Sequence, residues 1–120
     1  MFFPTMESAV LDNPFQVTPK REYMLLGKGV RGYKKRALLM FHVQRIQRHH
    51  IIHSAKLQMY YVGERQERSS LNILARNNRA PIFIEVYVVK SSRWKSSNVT
   101  SRMPWHGDHL DLSKDVDPKM

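Results

Sequence analysis

Two histidine groups have the residue types and spacing to hold a metal. His49, His50 and His53 read H-H-x-x-H, with His49 and His53 on one face of any helix that runs through them. His106, Gly107, Asp108 and His109 read H-G-D-H, and Asp111 follows. Imidazole and carboxylate at such spacings suit zinc or another divalent cation. The enzyme they would build is a small metal-dependent nuclease. The first group lacks the glutamate of H-E-x-x-H, so no general base stands beside its ligands. The second lacks the first histidine of the longer metallo-hydrolase pattern. Histidines that close a basic helix serve equally as C-terminal cations or as RNA contacts. The expectation is therefore no metal, no cofactor and no enzyme, with His49, His53, His106 and His109 as the weak metal candidates. The absence of Cys removes thiol nucleophiles, thiolate metal sites and disulfides together, and fits an intracellular protein.

A glycine pattern is the second chemical candidate. Gly27, Gly29 and Gly32 match G-x-G-x-x-G, which in a dinucleotide site lets the backbone approach a pyrophosphate at a helix N-terminus. The ribose-binding acid should follow about 20 residues later. Glu64 is the first acid after the loop, and it comes too late. The loop also carries Lys28, Arg31, Lys34, Lys35 and Arg36, far more charge than one pyrophosphate needs. A loop lying along an RNA backbone is the better reading, with a plain solvated turn as its rival.

The charge is segregated along the chain. Net charge is −2 over residues 1–19, +9 over 20–56, +5 over 57–102 and −2 over 103–120, within a total of +10. A basic block between two weakly acidic ends must meet a polyanion or stay in solvent, because it cannot be buried unpaired. RNA is the expected partner. Arg45 and Arg48 extend the cationic set along the chain after the loop, and Lys56 continues it. Such contacts to phosphate position a protein without specifying a sequence.

Aromatic residues interleave with these cations. Tyr60, Phe83 and Tyr87 could share one sheet surface near Lys56 and Lys90, as a stacking platform for unpaired bases. The competing reading buries the same rings beneath a helix. Phe2, Phe3, Phe15, Trp94 and Trp105 sit in segments with no apolar pattern of their own, which marks them as docking anchors for a partner. For the two tryptophans, packing back onto the protein's own sheet is an equal alternative.

The elements that would carry these residues follow from periodicity. A helix is expected over residues 34–50. Leu39, Met40, Val43 and Ile46 form its apolar arc, and Lys34, Arg45 and Arg48 lie opposite. Residues 55–62 alternate as a strand that Gly63 ends. Residues 82–90 form the strongest strand, with Ile82, Ile84, Val86 and Val88 toward the core. Between Thr18 and Gly27 either a short helix or a strand at 22–26 is open, and residues 64–76 fit helix or strand. The fold class is α+β: a small single domain with one or two helices on a short sheet. Residues 1–18 read as an N-terminal arm, 19–90 as the basic domain and 91–120 as an extension with an acidic end.

No apolar run reaches the ~18–20 residues of a membrane span, and the N-terminal residues lack the basic start of a secretory signal. The function expected is that of a structural RNA-binding subunit of a large ribonucleoprotein. The expected host is a ribosome, a mitochondrial one included, in which the tails thread between neighbouring proteins. The alternative is a stand-alone, viral-type accessory protein that binds single-stranded nucleic acid.

Overall fold

A computed structural model of the chain describes residues 2–28, 34–63 and 83–118. These residues contain five strands: β1 (Thr5–Leu11), β2 (Gly27–Lys28), β3 (Lys34–His42), β4 (Val88–Val89) and β5 (Val116–Asp117). They form a three-stranded antiparallel sheet in the order β1-β3-β2 and a separate two-stranded antiparallel ladder, β4-β5. No helix occurs among the described residues, so the α+β expectation is corrected to two small antiparallel sheets.

The β1–β3 pair sets everything else. Its register places Glu7 opposite Met40, Ala9 opposite Leu38 and Leu11 opposite Arg36. Because side chains alternate along a strand, Glu7, Ala9 and Leu11 share a face with Met40, Leu38 and Arg36. That face carries the core. Leu11 and Leu38 are buried against Trp94, Val99 and Met103, with Ala9, Met40 and Val89 packed around them. Each such large apolar side chain contributes about 1.5–3 kcal/mol by leaving water. Ser96 adds a polar link across the interface by donating from Oγ to Glu7 Oε1 at 3.1 Å. The sequence Asp12-Asn13-Pro14 ends β1: Asn13 Oδ1 accepts the Phe15 N–H at 2.7 Å in a local turn, and Pro14 brings no N–H of its own.

The helix expected over residues 34–50 is thus replaced by β3 and two successive turns. In those turns the Ile46 N–H donates to the Val43 carbonyl and the His50 N–H to the Gln47 carbonyl. The apolar run 37–41 is too short for periodicity to separate strand from helix. The seven-residue ladder with β1 decides it. Residues 51–63 and 83–87 form no strand, and of the strand expected over 82–90 the described residues keep only Val88–Val89. Ile84, Val86 and Val88, expected toward the core, are exposed, and Val89 packs on the core instead. Residues 18–26 adopt neither of the two alternatives open to them. Residues 64–76 lie outside the described residues.

Between β4 and β5 the chain is built largely from closed turns. The Asn98 and Val99 N–H groups both donate to the Lys95 carbonyl, and Asn98 Oδ1 accepts from the Lys95 N–H. A second turn joins Met103 to Gly107 (N–H to carbonyl, 2.8 Å) and needs φ of +77° at Gly107, which favours glycine. A third joins Asp111 to Asp115, and the Asp115 carbonyl then accepts the Lys90 N–H beside the β4–β5 ladder. Among the described residues no helix is long and apolar enough to cross a membrane.

Candidate nucleic-acid interface

The β2–β3 pairing holds the two ends of the basic stretch side by side. Lys28 is paired with Lys34, and Gly27 with Lys35, across an antiparallel ladder. The glycine pattern therefore begins on a strand paired with β3, and among the described residues no helix follows it to receive a pyrophosphate. Arg31, Gly29 and Gly32 lie outside the described residues. Lys34 is exposed, whereas the next two cations are partly tied into the fold. Lys35 Nζ stands 3.7 Å from Asp12 Oδ2, and Arg36 Nη1 donates to the Leu110 carbonyl at 3.1 Å.

Arg45 and Arg48 sit in the turns that follow β3, and Lys56 in the irregular segment after them. All three are exposed, and no ion pair among the described residues holds them. Without a helix they form no single cationic face. They are strung along the turns after β3 and the irregular segment that follows.

The aromatic platform is not assembled among the described residues, because the strand at 55–62 is absent. Tyr60 and Phe83 are 83% and 86% exposed. Tyr87 is half-buried and donates its hydroxyl to Glu85 Oε2 at 2.7 Å. That bond to a carboxylate raises the phenol above its ordinary value. The anchors divide. Phe2, Phe3 and Phe15 are exposed, and the Arg102 guanidinium lies 5.6 Å over the Phe15 ring. Trp94 is 2% exposed in the protein's own core, so self-packing is the arrangement the structure gives it. Trp105 is half-buried against the same core, edge-on to His106.

Among the described residues no three His, Asp or Glu side chains converge to hold a metal. The His49 and His50 rings are in contact, and His50 Nδ1 accepts the Gln47 N–H. His53 is exposed. His106 is internally satisfied at both nitrogens. Its Nδ1 accepts the Asp108 N–H at 3.0 Å, so the neutral ring carries its proton on Nε2 and donates to Asp115 Oδ1 at 2.8 Å. Asp115 Oδ2 accepts the Asp111 N–H at 2.8 Å. Burial alone would push this carboxyl up, but the Asp111 N–H and the His106 ring outweigh it and hold it below the ordinary 3.8. Asp111 is lowered too, chiefly by the Ser113 hydroxyl and N–H that donate to it. The acidic end thus spends part of its charge inside the fold.

One convergence has no sequence signal. A cleft of about 310 Å³ lies between the start of β3 and the segment 101–110. Lys34, Arg36 and Asp12 line one side, and Ser101 and His109 the other. Ser101 is fixed by two backbone bonds: its N–H donates to the Asn13 carbonyl and its carbonyl accepts the Leu110 N–H, both at 3.2 Å. Its Oγ lies 3.2 Å from His109 Nδ1. Lys34 and Arg36 are more than sixty positions from Ser101 and His109 in the chain, and the packing of β3 on the core brings the two groups together.

The chain matches no protein-family model, no curated protein and no solved structure in the comparisons made with each.

Proposed function

We propose that this chain is a structural, RNA-binding subunit of a large ribonucleoprotein, with a ribosome, the mitochondrial one included, as its host. The supporting observation is the basic block with its exposed cations. Lys34, Arg45, Arg48 and Lys56 are all solvent-facing, within a chain of net charge +10. Cations in this state gain most from meeting phosphates, where bound counterions are released. Ile51, Ile52, Tyr60 and Val62 are exposed in the same segment. Apolar and aromatic groups strung between cations suit a chain that is covered by RNA and neighbouring proteins after it docks.

The small folded part anchors this segment. The turns after β3 start it from a fixed point, and phosphate contacts along it position the subunit without reading sequence. A second reading, a stand-alone single-strand binder, draws on the exposure of Tyr60 and Phe83. Titration of single-stranded RNA over a range of salt tests the shared element. With four phosphate contacts the slope of log K against log salt should be about −3. A slope near zero would remove both RNA readings.

A further inference from the structure

We infer that the cleft between β3 and the segment 101–110 is a phosphomonoester site, taking the phosphate of a nucleotide. This deepens the RNA-binding reading and takes its ligand class from it. Four groups supply the chemistry: Lys34, Arg36, Ser101 and His109 all line the cleft. Two of them are fixed cations. The one acid present, Asp12, already faces Lys35 at 3.7 Å, so its charge is largely offset. The balance at the cleft is positive, and a dianionic phosphate matches the Lys34 and Arg36 pair in charge.

The Ser101–His109 pair adds a neutral donor whichever way its proton lies. If the serine hydroxyl donates to Nδ1, the ring's proton is on Nε2 and that N–H remains to be used. If Nδ1–H donates to Oγ, the hydroxyl hydrogen remains. Arg36 commits Nη1 to the Leu110 carbonyl, which locks the guanidinium in place at the cleft wall. An arginine held by one such bond keeps donors for a phosphate and loses little freedom on binding. A volume of about 310 Å³ exceeds what one phosphate fills and leaves room for part of an attached sugar.

The ligand can arrive as a free nucleotide or as the phosphorylated end of an RNA strand, and one experiment separates them. The full chain is titrated with AMP, and with a short oligoribonucleotide bearing either a 5′-phosphate or a 5′-hydroxyl. The Lys34→Gln/His109→Gln variant removes two exposed groups without touching the core, and Ser101→Ala is its partner. The expected result is AMP binding that weakens about tenfold or more in the double variant, the loss of charge-assisted bonds. A preference for the 5′-phosphorylated strand that vanishes in the double variant assigns the site to RNA ends. AMP binding without that preference assigns it to free nucleotide.

No AMP binding, or equal binding by wild type and double variant, overturns the site even if the oligoribonucleotides still bind. Binding of AMP with no affinity for either oligoribonucleotide keeps the site and removes the RNA-subunit reading.

Discussion

His106 Nε2 and Asp115 Oδ1 lie 2.8 Å apart, and this pair holds the C-terminal turns together. Asp115 is buried, and its second oxygen takes the Asp111 N–H. Replacing it with asparagine puts an NH2 against one of two donors, so one buried bond must fail. Asp115→Asn should therefore destabilise the fold by about 1–3 kcal/mol, measured by urea unfolding near neutral pH. Unchanged stability would mean that the 103–117 turns stand without this pair.

The same carboxylate gives the pH dependence its sign. Asp115 and Asp111 both titrate below the ordinary 3.8 in the folded chain. A depressed folded value means the stabilisation is fully present above 3.8 and is lost as pH falls through the lower folded values. Thermal unfolding should show a constant midpoint down to mildly acidic pH and a fall below the ordinary carboxylate value. Asp115→Asn should make that fall shallower.

Trp94 tests whether the C-terminal third belongs to the core. Trp94→Ala should cost about 3–5 kcal/mol, a large part of the 5–15 kcal/mol that holds a domain together. Ending the chain after residue 90 should abolish the fold, because it uncovers Leu11 and Leu38 together. If Trp94 were an anchor for a partner only, the free chain would keep its stability after either change.

Gly107 isolates a conformational cost. A Cβ added there meets no atom within 4 Å, yet φ is +77°. Gly107→Ala should lose about 1–2 kcal/mol from backbone strain alone. A midpoint unchanged in thermal denaturation would show that the 103–107 turn adapts freely.

The exposed cations should be separable from stability. The combined variant Arg45→Gln, Arg48→Gln and Lys56→Gln should fold with stability within about 0.5 kcal/mol of the parent. Its RNA salt slope should be shallower by about 2, since each lost phosphate contact on single-stranded RNA removes about 0.7. Equal slopes in both proteins would take these three residues out of the interface.

Some of the structure was legible in the sequence and some was not. Exposure of Lys34, Arg45, Arg48 and Lys56 follows from their charge. The strand nature of β3 was hidden because its run 37–41 fits two periods, and the partner that decides between them, β1, is thirty residues away. Pro4 and Pro14 flank β1 and suggested an arm, and TMESAVL between them has no clean alternation to mark the strand that pairs with β3. Trp94 and Met103 lie among polar neighbours, so no local pattern marks them as core. The Arg36–Leu110 bond is a long-range product of that packing and left no trace in spacing.

The central claim is membership of an RNA–protein particle, and sedimentation tests it most directly. The tagged full chain, drawn from its native source, is run on a gradient with and without RNase and at high salt. The proposed function predicts migration with a large particle, which RNase dismantles and from which high salt releases the chain. Migration as a free 14.2 kDa protein under every condition would contradict it.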